Sequence, residues 1–262
     1  MWPVSTKFSD YATPETPVEL IKYTCGTESA EEFLRSGFEA ASMFNLALKK
    51  YAGRLFADFA TILDFGCGCG RITRFVGTEG ELFGCDVNPV VVNFCKTHFP
   101  RASFYKNSLM PPLIYRDGLF DLIYSFSVFS HLRQDVEDAW LAELARVGAP
   151  GCIYLLTVQG DWMIEATLGA EAAAARNAGF YYRRVHQRHN IATDFPDYYE
   201  SSYHTSTCIK AQWSRHFDIL AVIKGDDSGR YLGENMAFAP LGTVPLLRPM
   251  GQDLVVARRR AA

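Results

Sequence analysis

In the stretch from Thr61 to Val87, TILDFGCGCGRITRFVGTEGELFGCDV, acids and glycines stand at spacings that chemistry can use. Asp64, Gly66, Gly68 and Gly70 alternate along one short segment, and Asp86 lies twenty residues beyond Gly66. Glycines placed this way let the backbone turn tightly and close on a ligand. An acid at the end of the next apolar run can accept hydrogen bonds from both hydroxyls of a ribose. The combination predicts an adenosine-bearing ligand. A dinucleotide fits less well, because the place its fingerprint reserves for a third small residue is held by Arg71. Two histidines, His131 and, in reserve, His204, are candidates for removing a proton, since a neutral imidazole near pH 7 can accept one from a hydroxyl.

The elements that must position these residues can be read from the surrounding pattern. Thr61 to Phe65 is a strand, Arg71 to Val76 reads as a helix, and Leu82 to Cys85 is a second strand that presents Asp86 at its tip. Ser29 and Glu32 form a capping-box pair ahead of Leu34, Phe38, Ala41, Phe44, Leu48 and Tyr51, which predicts a helix over 30–51. Residues 1–28 lack periodicity and are expected to form an irregular arm. Asn88 and Pro89 open a helix that runs to His98, and Ala102 to Lys106 is a third strand ending at Asn107 and Ser108. Phe120 to Ser125 is a fourth strand, followed by a loop through His131, a helix capped by Asp135, and a fifth strand, Cys152 to Val158. Ligands of open α/β sheets bind outside the carboxyl ends of the strands, so Ser125 to His131 should face the site.

The pattern Asp64-x-Gly66-x-Gly68-x-Gly70 resembles the first motif of class I S-adenosylmethionine-dependent methyltransferases, and FDLIYSFSVFSHL, with Val128, His131 and Leu132, resembles their fourth. The absence of a basic residue between the glycines suits a ligand that lacks phosphates and carries a sulfonium cation. The resemblance implies a Rossmann-like α/β fold: a seven-stranded, mostly parallel sheet whose last strand, Gln252 to Arg258, runs antiparallel between the fifth and the sixth, Phe217 to Ile223. It also implies S-adenosylmethionine as cofactor, held by Asp64, Gly66, Cys67, Gly68, Gly70, Asp86, Val87, Asn107, Ser108, Ser125 and Phe126. Asn107 and Ser108 would meet the adenine edge. Many relatives carry an acid at the first of these, but the amide oxygen of Asn107 can still accept from the adenine amino group. The whole chain further resembles bacterial methyltransferases that modify sugars or natural products.

At 262 residues with 48% hydrophobic composition the chain can bury one substantial core, and no apolar run is long enough to cross a bilayer. The expected organisation is a single domain: an arm and helix over 1–55, the cofactor core over 56–158, an insertion over 159–206, and the end of the sheet over 207–262. A net charge of −3 makes nucleic acid an unfavoured partner and a small-molecule acceptor the expected one. No secretory leader is visible, which with seven cysteines, an odd number, points to a reducing, cytosolic compartment and against a disulfide framework. Cys67 and Cys69 lack a second ligand pair nearby and read as turn fillers, and His186 and His189 as surface or lid residues.

The insertion, nearly fifty residues, is too long for a simple connection. Met163 to Asn177 should be helical, and the following aromatics, including Tyr199 and Tyr203, should act as a lid that binds the acceptor. Acids among the arginines there cancel the charge that RNA would need. The most favoured function is methyl transfer to an oxygen of a sugar or natural product. A nitrogen acceptor, an RNA or protein acceptor, and a non-catalytic cofactor-binding subunit are the alternatives.

Overall fold

The computed structural model of the chain describes residues 14–184, 200–225 and 251–260. Strands β1 (Thr61–Phe65), β2 (Glu81–Asp86), β3 (Ala102–Lys106), β4 (Phe120–Ser125) and β5 (Gly148–Gln159) form a parallel sheet in the order β3-β2-β1-β4-β5. Two short strands, β6 (Phe180–Arg183) and β7 (Ser201–His204), make an antiparallel ribbon that touches the end of β5 at Gln159 and Tyr203. The sheet is completed by β8 (Asp218–Ile223) and β9 (Gln252–Arg258), with β9 antiparallel to both β5 and β8. This is the expected seven-stranded Rossmann-like sheet with one reversed strand. The ribbon is an addition that the sequence pattern does not announce.

Local chemistry explains most helix ends. In α2 (Ala30–Ala52) the Ser29 side chain accepts from the Glu32 N–H at 3.2 Å, and Gly53 closes the helix in the left-handed conformation. In α3 (Pro89–His98) Asn88 accepts from the Val90 N–H at 2.8 Å. Ahead of both lies α1 (Val18–Cys25), where an irregular arm was expected. The helix α4 (Gln134–Val147) begins one residue before Asp135, which sits in its first turn and pairs with Arg133 instead of capping. The helix expected over Arg71 to Val76 shortens to one 3-10 turn, Thr73–Phe75, and the single helix expected over Met163 to Asn177 is two, α5 (Asp161–Leu168) and α6 (Ala172–Ala178).

The sheet is buried on both faces. On one face Phe38, Phe44 and Leu48 of α2 pack against Leu122, Tyr124 and Leu155. On the other, Trp140 and Leu144 of α4 and Trp213 of α7 (Ser206–Trp213) pack against Ile123, Tyr154 and Val255. Burying such side chains stabilises by about 1.5–3 kcal/mol each, which is the main source of the sheet's rigidity.

His204, at the end of β7, belongs to this second layer. It is fully buried, its Nε2 donates to Glu137 Oε2 at 2.7 Å, and Trp213 Nε1 donates to the other carboxylate oxygen at 2.9 Å. The residue expected as a reserve base is therefore engaged in a buried pair that fastens α4, β7 and α7 together. Removing one member of such a pair strands the other, at a cost of about 3–5 kcal/mol. Glu137→Ala should lower the denaturant midpoint accordingly. Equal midpoints for variant and wild type would show that the pair does not hold the layer.

Candidate cofactor and acceptor site

The carboxyl ends of β1, β2 and β4 open into a pocket lined by Asp64, Gly66, Gly68, Asp86 and Asn107. Its floor is the loop after β1. Gly66, Gly68 and Gly70 have φ of 81°, 51° and 76°, values that side chains rarely adopt. Space is equally restrictive, since a Cβ on Gly66 would lie 2.3 Å from Val128 Cγ2 and one on Gly68 2.7 Å from Thr24 Cγ2. Gly70 faces away from the pocket, against Phe99.

Asp86 is placed to hold the loop and a ligand together. Its Oδ2 accepts from the Gly68 N–H at 2.9 Å and its Oδ1 from the Asn88 N–H at 2.9 Å. A carboxylate has about four acceptor sites, so these donors do not exhaust its capacity to accept from a ribose hydroxyl. Burial raises its pKa despite these backbone donors. Asn107 also lines the pocket; its Nδ2 donates to Ser108 O at 2.8 Å, which leaves Oδ1 as the acceptor for an adenine amino group. Cys67, Val87 and Phe126 line the pocket as expected.

At the other end, beneath the glycine loop, two buried charges stand near each other. Asp64 accepts from Thr73 Oγ1 at 2.6 Å and Tyr124 OH at 2.8 Å, both on Oδ2, and burial pushes its pKa up to about 6. Arg71, almost fully buried, lines the pocket with its guanidinium 4.8 Å from the Phe126 ring centre. Burial lowers its pKa while the nearby Asp64 opposes that shift. A cation and an acid side by side are complementary to the carboxylate and ammonium of an amino-acid group. Ribose, adenine and amino-acid ends thus each find a partner of suitable chemistry, and the residues present fit S-adenosylmethionine.

Several pocket residues escaped the sequence reading. Tyr23 and Thr24 come from α1, and Thr24 Oγ1 accepts from the Cys69 N–H at 3.3 Å, so this helix seats on the loop. Beyond β4, Ser127 and Val128, within the segment expected to face the site, form the wall together with Leu132 and Trp140, of which Trp140 was read only as a helix core residue. Only the Val128 to Leu132 segment carried a motif signal, and Tyr23 and Thr24 had none.

Other expected site residues lie elsewhere. Ser125 is fully buried behind the pocket, and Ser108 is exposed outside it. Tyr203 packs with Ile164, Leu168, Ala172 and Ala175 in a private core of the insertion, its hydroxyl accepting from Thr167 Oγ1 at 3.1 Å, so it does not reach the pocket. Tyr199, His186 and His189 lie outside the described residues. His131 is half-buried beside the pocket-lining Leu132, with Nδ1 2.6 Å from Glu200 O. All seven thiols are free, burial pushes that of Cys69 up to about 11, and no group of metal ligands occurs among the described residues.

The comparisons with known proteins agree with this geometry. A family model described as methyltransferase domain matches residues 62–151. Among solved structures, the chain is similar to a SAM-dependent methyltransferase from Methanosarcina mazei, with 16% identity, a TM-score of 0.55, and coverage of 82% of this chain and 98% of that one. A protein from Pyrococcus horikoshii OT3 is similar at 14% identity and TM-score 0.51, covering 84% and 91%. A structure concerned with converting a disulfide bond into a thioacetal group during echinomycin biosynthesis is similar at 18% identity and TM-score 0.51, covering 83% and 82%. At these identities the structural likenesses establish the fold.

The buried acid yields a test. Asp64 holds its proton in the folded chain up to about pH 6, against 3.8 for an ordinary aspartate. That preference stabilises the fold below pH 3.8 and is lost as pH rises through 6, where an ionised carboxylate must be carried in the interior. Asp64→Asn removes this burden, on the order of 2–3 kcal/mol. At pH 7.5 the ligand-free variant should melt no lower than wild type, yet bind S-adenosylhomocysteine at least tenfold more weakly. Undiminished affinity by calorimetry would take Asp64 out of the site.

Proposed function

We propose that the chain is a class I S-adenosylmethionine-dependent methyltransferase whose acceptor is a small molecule, methylated on an oxygen of the sugar or natural-product kind. The observation that carries this reading is the wall beyond β4. Phe126, Val128, Leu132 and Trp140 make it apolar, and Arg71 is the single cation among the described residues lining the pocket. A polynucleotide would require cations for its phosphates, whereas a neutral organic acceptor is held by apolar faces. The similar structure from echinomycin biosynthesis supports a natural-product acceptor, and an amine could occupy the same wall. A cytosolic site of action accords with the free thiols.

S-adenosylmethionine, when bound, supplies an electrophilic methyl group. The protein's part is to align an acceptor lone pair opposite the sulfur, keep water away and dispose of the acceptor proton. Asp86 and the glycine loop fix the ribose end, and Arg71 with Asp64 fixes the amino-acid end, so the methyl group faces the residues after β4. We assign proton removal to His131. Its Nδ1 must donate to the Glu200 carbonyl, which puts the ring's lone pair on Nε2. Burial lowers its pKa below 6.5, so the ring stays neutral, and basic, to lower pH than a free imidazole.

The test is to supply S-adenosylmethionine with panels of glycosides, phenols and amines and to measure S-adenosylhomocysteine release and methylated product by mass spectrometry. Hydroxyl-bearing members should be methylated. Labelling of RNA or protein in place of every small molecule would overturn the proposal. With a hydroxyl acceptor, wild-type turnover should fall only below pH 6.5, and His131→Ala should lose on the order of a hundredfold in kcat together with that acidic limb. A variant with the wild-type pH profile would remove His131 from the mechanism.

A further inference from the structure

The insertion leaves the sheet at Gly160, the N-cap of α5, and returns through β7, which ends one residue before Thr205, the N-cap of α7. At this neck its two ends are tied together. Ser206 Oγ donates to Asp161 Oδ2 at 2.8 Å, and Lys224, just past β8, gives its ammonium to both the Asp161 carboxylate and Ser206 Oγ. Beneath them, near the start of β9, lies Asp253, fully buried, its carboxyl packed so closely on Gly160 that a side chain there would have no room. Its Oδ1 accepts from the Gly225 N–H at 2.9 Å, while Oδ2 has no hydrogen-bond partner and stands 3.9 Å from the Lys224 ammonium.

One cation therefore serves two acids, an exposed one on α5 and a buried one on β9. A buried carboxyl with an unmatched oxygen is cheaper to keep protonated than ionised. Burial pushes the pKa of Asp253 up to about 6, opposed by the Gly225 N–H, by Lys224 and by His204 on β7. His204 is in turn bound through Nε2 to Glu137 of α4. Asp161, Lys224, His204 and, behind it, Glu137 are thus the titratable groups around the Asp253 carboxyl.

We propose that Asp253 is a proton-operated clasp at the neck of the insertion: protonated, it leaves Lys224 to Asp161 and Ser206 and the neck is closed; ionised, it draws Lys224 away and the neck opens. The neck governs more than the insertion. Beyond it, the Glu200 N–H donates to His131 O at 3.0 Å, the Ser202 N–H to Ser130 O at 2.8 Å and Ser202 Oγ to Leu132 O at 2.7 Å, so a closed neck also seats the loop that borders the pocket. In an open neck Asp253 meets water and titrates as an ordinary aspartate near 3.8, which means that the closed form binds the proton more tightly. Its advantage is complete below pH 3.8 and is lost as pH rises through about 6.

Hydrogen–deuterium exchange of the full ligand-free chain, read by mass spectrometry and corrected for intrinsic rates, tests the clasp whatever the site methylates. Between pH 5.0 and 7.5 the opening equilibrium of peptides covering 161–168 and 201–204 should rise about tenfold, as linkage between pKa values near 3.8 and 6 requires. Asp253→Asn keeps an acceptor for the Gly225 N–H but cannot ionise, so its neck should be equally protected at both pH values. Lys224→Met, a change of an exposed side chain, should lower neck protection at both. Asp64 also titrates near pH 6, so the same comparison is made in Asp64→Asn protein, where the tenfold change at the neck should persist. Equal protection of the wild-type neck at the two pH values would overturn the clasp, as would a change that survives Asp253→Asn or vanishes in Asp64→Asn. Undiminished protection in Lys224→Met would overturn it as well.

Discussion

The site depends on one carboxylate joining two backbone segments. Asp86 accepts from the Gly68 N–H with one oxygen and from the Asn88 N–H with the other, which ties the loop after β1 to the start of α3. The Cys85 carbonyl reinforces this by accepting from the N–H groups of Gly66 and Cys67 at 2.9 and 3.0 Å. The loop cannot relax without breaking these bonds, and glycine is the residue that tolerates the angles they impose. Its geometry is therefore set before any ligand arrives, so less ordering entropy has to be lost on binding.

Around that link the charges are arranged by end. At Asp86 the pocket has an acid with spare acceptor capacity, and at Asp64 and Arg71 an acid and a guanidinium are buried near each other. Burial raises the pKa of Asp64 and lowers that of Arg71. Beyond β4 the wall is apolar except at Ser127.

How much of this could be read from the sequence follows from how local its causes are. The glycines, Asp86, and the Ser29 and Asn88 caps act through near neighbours in the chain, so their spacing carried the information. The same holds for the alternation of strands and helices that produced the sheet order. The helix expected from Arg71 to Val76 is one 3-10 turn, and α2 packs closely on it: a Cβ on Gly37 would lie 2.1 Å from Arg71 O. The role of Thr24 rests on contact with Cys69, forty-five residues away, and leaves no periodic trace. Tyr203 and His204 looked like lid residues, but a ribbon that pairs with β5 turns them inward, and no turn signal between its strands disclosed it.

A crystal structure with S-adenosylhomocysteine bound would test the central claim directly. The account predicts both ribose hydroxyls within about 3 Å of the Asp86 carboxylate, with the Gly68 and Asn88 bonds to it retained. A ribose lying elsewhere, or an Asp86 that must release Gly68 to reach it, would contradict the idea that this carboxylate holds loop and ligand together.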